Sequence, residues 1–160
     1  MAGNEQALPG LLDRFTASNS AQGQNSRVSA AATLRNYHQS VMRDLTWLLN
    51  AKASLDEDEA AEFPDVGRSV VNFGTQDFCG VTASSLNLSE VEHELREAIE
   101  IFEPRIIPST LTIRVVPSPE KSGVNLVTFE IRAEVWAVPF PEQVFIRTEL
   151  DLETGQYVLR

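Results

Sequence analysis

Few residues of this chain have the types and spacing that make or break bonds. His38 and His93 fall on separate predicted helices, and the single Cys79 lies between them, so a zinc site would have to assemble across the fold without the short ligand spacing such sites use. No metal and no cofactor is expected. The serine-nucleophile elbow, the glycine-rich phosphate loop with its lysine, and the paired-histidine zinc motif are all missing. Cys79 beside Phe78 reads as a small apolar residue rather than a nucleophile. A glycosidase needs two carboxylates facing each other across a bond, and although the chain has 23 acids, nothing marks any two as convergent. The run DEDEAAEF lacks the alternating ligands and central glycine of a calcium loop. What remains is Phe102-Glu103-Pro104-Arg105, an acid and a base on either side of a proline. One reading is structural, because a basic residue suits the negative end of a helix and proline is common just past it. The other is a docking pair, fixed by a rigid backbone and presented to a partner. Spacing alone leaves both open.

These residues need a scaffold, and composition bounds it. With 160 residues, 42% hydrophobic and 22% charged, the chain has enough material for one core without disulfides or metal. One thiol suits a reducing compartment. The net charge of −10 disfavours nucleic acid or an anionic membrane as the main partner, since both reward clustered cations. No apolar run approaches the ~20 residues of a spanning helix, and MAGNEQALPGLLDRF lacks the basic and apolar regions of a signal peptide. A cytoplasmic location without membrane insertion is the expectation. Most of the acidity sits in two places: residues 53–68 hold six acids and one arginine, and residues 89–105 hold six acids and two arginines. The first run reads as a solvated loop.

Residues 1–26 carry one apolar patch and then TASNSAQGQNS, which predicts a flexible N-terminal arm before a single domain over 27–160. From about Ser29 to Leu49, the spacing of Leu34, Tyr37, Val41, Leu45 and Leu48 predicts a helix that turns Arg35, Arg43 and Asp44 to water. The segment SVVNFGTQDFCG reads as a structural turn built on Asn72, Gly74 and Asp77. A second helix is predicted to open with a capping box at Ser89 and Glu92, to bury Leu88, Val91, Leu95, Ala98, Ile99 and Phe102, and to stop near Phe102 because Pro104 disfavours helical geometry at Glu103. The rest alternates as β: Leu111, Ile113 and Val115 on one face, then Val127 through Val135, then two strands joined by a turn at Glu153-Thr154-Gly155-Gln156. Pro117, Pro119, Pro139 and Pro141 separate the strands. Helices first and antiparallel strands afterwards predict an α+β fold, with the helices on one face of a mainly antiparallel sheet that ends in a C-terminal hairpin.

Taken in order, LLDRF, SVMRDLTWLLNAK, SVVNFGTQDFCG, IFEPRI and LDLETGQYVL resemble the baseplate wedge and sheath-initiator family, which includes TssE of type VI secretion systems and contractile phage-tail relatives historically labelled lysozyme-like. The pairing of Glu103-Pro104-Arg105 with Arg43-Asp44-Leu45, Leu48-Leu49-Asn50 and Asn72-Phe73-Gly74 carries most of the likeness. The commoner family form has an apolar residue after that glycine, where this chain has Thr75 and Gln76.

The resemblance implies a non-enzymatic baseplate component, held in a baseplate attached to an envelope-spanning complex. By that likeness Glu103, Pro104 and Arg105 contact TssF/TssG-like wedge scaffold proteins. The terminal hairpin, through Val144, Ile146, Thr148, Leu150, Leu152, Gly155, Tyr157 and Leu159, gives contractile sheath subunits a strand to pair with. The hairpin is expected to offer an uncovered edge. A peptidoglycan-cleaving lysozyme-like hydrolase is the alternative, resting on the historical label and the surplus of acids.

Overall fold

Twenty-one residues without glycine or proline, Ala30–Asn50, form helix α1, and Tyr37, Val41, Leu45, Leu48 and Leu49 bury one face of it. The computed structural model describes residues 30–82, 85–116, 125–137 and 141–159. The predicted arm at 1–26, and Pro117, Pro119 and Pro139, lie outside the described residues.

After α1 come two short helices, α2 (Glu57–Glu62) and α3 (Pro64–Gly67), and a 3-10 turn at Val70–Asn72. This corrects the solvated loop expected for the acidic run. Asp56 accepts from the Glu59 amide at 2.8 Å and the Glu59 carboxylate accepts from the Asp56 amide, so acids that looked like a solvated run close a capping box. Helix α4 (Leu88–Phe102) stops where Pro104 requires, but its N-cap is Asn87, whose side chain accepts from the Ser89 amide. The box expected at Ser89 and Glu92 does not form, because Glu92 is used on the sheet instead. Val91, Leu95, Ala98 and Ile99 are its buried stripe, whereas Leu88 at the first turn is exposed.

Four strands, β1 (Thr112–Val116), β2 (Leu126–Val135), β3 (Glu142–Asp151) and β4 (Gln156–Leu159), pair in chain order as an antiparallel meander. Ile113, Val127, Phe129, Ile131, Ala133, Val135, Val144, Ile146, Leu150 and Tyr157 turn to one face and share a core with the buried stripes of α1 and α4. The α+β fold, the helices on one face and the terminal hairpin are as expected.

Each outer edge of the sheet meets a helix. Along β1, the Glu92 carboxylate accepts from the Val115 amide at 2.8 Å and Arg96 donates to the Leu111 carbonyl at 2.7 Å. Along β4, Asn50 at the end of α1 accepts from the Tyr157 amide at 2.9 Å and donates to the Tyr157 carbonyl at 3.0 Å. The uncovered terminal edge expected from sequence is therefore occupied at Tyr157. Side chains have replaced the missing strand at points on both edges.

The turn after the 3-10 segment locks onto the chain leaving α1. The Thr75 amide donates to the Ala51 carbonyl at 3.0 Å, the Ala53 amide to the Thr75 carbonyl at 2.9 Å, and the Thr75 hydroxyl to the Leu49 carbonyl. Gly74 has φ of +140°, and a Cβ there would lie 2.5 Å from the Ala51 carbonyl oxygen, which is backbone and cannot step aside. Gly74→Ala is expected to lower the unfolding free energy by more than about 1 kcal/mol in urea melts. An unchanged midpoint would contradict the close approach.

Candidate functional site

The site is a corner where α4 ends. The residue before a proline is barred from helical geometry, so Glu103 leaves the helix at φ −120° and ψ 76° while its amide still donates to the Ile99 carbonyl. Its side chain then turns inward and is only 4% exposed. Ile106 follows as an antiparallel bridge to Val135, the Trp136 amide donates to the Arg105 carbonyl at 2.9 Å, and the Ile107 amide donates to the Glu134 carbonyl at 2.8 Å. The tripeptide is thereby stitched to the end of β2.

Arg105 occupies the centre. Its Nε donates to Glu103 Oε1 at 2.6 Å, one terminal nitrogen donates to both Glu103 Oε2 and Asp44 Oδ2, the latter at 2.7 Å, and the other donates to Ser40 Oγ at 3.0 Å. The planar guanidinium fork matches a carboxylate edge, which a lysine could not do. Burial works against the charge, but Glu103 and Asp44 overcome it and hold the guanidinium above its usual value. Tyr37, one turn before Ser40, donates its hydroxyl to the Trp136 carbonyl at 2.7 Å. Burial raises its phenol; Arg105 pulls it down, and Glu103 adds to the rise.

This geometry corrects two expectations. Asp44 and Arg43 do not simply face water: Asp44 bridges Arg105 to Arg43, whose Nε lies 2.9 Å from Oδ1, and Arg43 also stacks 5.1 Å above the Trp47 ring. Nor is Glu103 an exposed acceptor for a partner, since its carboxylate is spent on Arg105 and on the Arg105 amide. What faces outward is exposed Pro104, the remaining fifth of the Arg105 side chain, and Trp136, which is 60% exposed. Ser40, Tyr37 and Trp136 carried no signal in the sequence that could have placed them here. Asp44 belongs to the Arg43-Asp44-Leu45 motif, whose spacing points it to water rather than to Arg105.

The other sequence-predicted residues fall elsewhere. Asn72 accepts from the amides of Ser54 and Leu55 at 2.9 Å, and Asp77 accepts from the Cys79 amide and pairs with Lys52. In the hairpin, the side chains of Val144, Ile146, Thr148, Leu150, Leu152 and Tyr157 are buried in the core, Leu159 packs against it, and Gly155 turns at φ +68°. A partner would meet the backbone of this hairpin, not those side chains.

A cleft of about 350 Å³ between α4 and residues 53–76 is lined by Asp56, Arg68, His93, Glu94 and Glu97 over an apolar floor. A carboxylic acid that donates a proton near neutral pH has to be desolvated. Asp56 and Glu97 are exposed, Asp56 caps a helix, and Glu94 is half-buried. Among the described residues no group of three or more His, Cys, Asp or Glu is placed to hold a metal ion, and no helix is long and apolar enough to cross a membrane.

Removing one partner of a buried ion pair leaves the other charge stranded, whereas replacing both with apolar groups is much milder. Arg105→Met is expected to cost about 3 kcal/mol of stability, and Glu103→Leu combined with Arg105→Met distinctly less. Urea melts of the two variants check this; equal losses would contradict it.

No curated protein and no solved structure matches the chain. The model of one family, described as baseplate wedge protein gp25, matches residues 35–139. That stretch is about two thirds of the chain and takes in α1 from Arg35 onward and the whole of α4, β1 and β2, hence every residue of the corner from Tyr37 to Trp136. The chain therefore belongs to the baseplate wedge protein gp25 family.

Proposed function

We propose that this protein is a non-enzymatic, TssE-like component of a type VI secretion baseplate that docks on TssF/TssG-like scaffold proteins and starts the sheath by strand pairing. The single observation that carries the baseplate role is the family match, which spans both halves of the Glu103–Arg105–Asp44 clasp. In this reading the tripeptide acts through its fold: Glu103 and Asp44 fix Arg105, and Arg105 fixes the corner that carries Pro104 and Trp136. An exposed tryptophan on a rigid backbone is the kind of residue that dominates an interface, because it buries a large area while losing little rotamer freedom.

The sheath half rests on the antiparallel meander, which ends in the short edge strand β4 beyond the matched stretch. An added strand gains affinity from the backbone whatever its side chains. The location that follows from these roles is the cytoplasmic side of an envelope-spanning complex.

Trp136→Ser is expected to keep the melting temperature within a few degrees and to weaken co-purification with the scaffold proteins by about 30-fold or more. Val70→Ser, on a residue 84% exposed that makes none of the corner's hydrogen bonds, is expected to leave capture unchanged. Equal capture by both variants would overturn the docking role. Purified protein is expected to release no reducing sugar from peptidoglycan; release abolished by a single carboxylate substitution would establish the hydrolase instead.

A further inference from the structure

Strand addition needs an edge whose amides and carbonyls point outward, and on β4 those of Tyr157 are already taken. Both backbone groups of Tyr157 reach Asn50, the amide at 2.9 Å from Oδ1 and the carbonyl at 3.0 Å from Nδ2. In an antiparallel pair, residues alternate between bonding their neighbour and facing away. Tyr157 faces away from β3, so it is the residue an added strand would meet. The Asn50 carboxamide presents one acceptor and one donor side by side, which is what the backbone of an incoming strand presents.

We propose that the β4 edge at Tyr157 is the strand-accepting site of this protein, that Asn50 fills it in the free molecule as a surrogate strand, and that an extended segment of a contractile sheath subunit displaces it. The proposal rests on the strand-pairing reading above and names the edge, the register and the group that must leave.

The two edges differ in how they are closed. At β1 the closing groups are charged: Glu92 on the Val115 amide and Arg96 on the Leu111 carbonyl, both from within α4, with Arg96 also 3.8 Å from Glu100. Charge-assisted bonds are about twice as strong as neutral ones, and two of them hold that edge. At β4 one neutral amide holds the edge, from the last residue of α1. Asn50 Nδ2 also donates to the Thr46 carbonyl at 2.9 Å, and a carboxamide displaced from Tyr157 meets water in its place. An incoming strand replaces both lost bonds and adds others along the edge. Beside Tyr157, Val158 is 53% exposed on the outer face of the sheet. A β-branched or aromatic residue facing it across the new pair would complete the contact, which sets the composition of the segment.

The test uses overlapping fluorescent peptides tiled across the sheath subunit, titrated into wild type and into Asn50→Ala, with amide exchange followed residue by residue. In the free proteins the Tyr157 amide is expected to exchange at least 10-fold faster in Asn50→Ala. One peptide is expected to bind Asn50→Ala at least 10-fold more tightly than wild type and to protect the Tyr157 amide in both. Asn50→Asp, which keeps the acceptor and loses the donor, serves the same comparison if the alanine variant does not fold, and is expected to bind more tightly than wild type. Equal affinity with Tyr157 protected would leave strand pairing standing and overturn the role of Asn50. Protection of the Val115 amide instead would overturn the choice of edge. Peptides that protect neither edge in any variant would overturn strand pairing itself.

Discussion

The Arg105 guanidinium, held between Glu103 and Asp44, is the constraint on which the rest of the molecule hangs. It joins the end of α4 to the middle of α1, and the backbone on either side of it is stitched to β2. Two helices and a sheet therefore meet at one fork of hydrogen bonds. An ion pair in that position contributes geometry more than net stability, since burying charges costs nearly as much as pairing them returns. Its use is that Pro104 and Trp136 stand on a backbone that cannot drift. A surface that must bind a partner in one orientation benefits from having its ordering cost met during folding.

The same economy governs the sheet. A four-stranded meander has two edges, and an open edge invites any unfolded or extended chain to pair. Here α1 and α4 each send side chains to one edge, so the free molecule shows no unguarded strand at Tyr157 or Val115. The acids follow a similar division. The net charge of −10 lies mostly on α2, α3, α4 and the segments between them, while residues 106–141 balance to zero. A basic partner would therefore be attracted over long range to the helical half rather than to the sheet.

Periodicity made the fold legible. The stripe from Tyr37 to Leu48, the alternation from Val127 to Val135 and the stop before Pro104 each report a local rule that packing did not override. Where the structure departs from these local rules, the deciding contact is a distant partner or, at Asp56, a capping box hidden in a run of acids. Glu92 sits three residues after Ser89 as a capping box asks, yet it bonds Val115 on the neighbouring strand. Asp56 and Glu59 lie in a run of acids that looks like solvated loop, and their reciprocal bonds make it a helix start. The tripeptide at 103–105 was visible as unusual, but its burial was not, because Asp44 and Ser40 lie about sixty residues away. Asn50 closes the Leu48-Leu49-Asn50 motif, and its role as an edge partner depends on Tyr157 more than a hundred residues later.

On the proposed roles one molecule presents two separate surfaces, the Pro104–Trp136 corner to the wedge and the β4 edge to the sheath. Amide exchange on this chain, measured free, bound to the scaffold proteins alone, and in the assembled baseplate with its first sheath ring, separates the two. Segment 105–107 and Trp136 are expected to gain protection with the scaffold alone, and Leu159 and the neighbouring β4 amides to gain it only when sheath is present. Protection of both regions by the scaffold alone, or of neither at any stage, would contradict these roles.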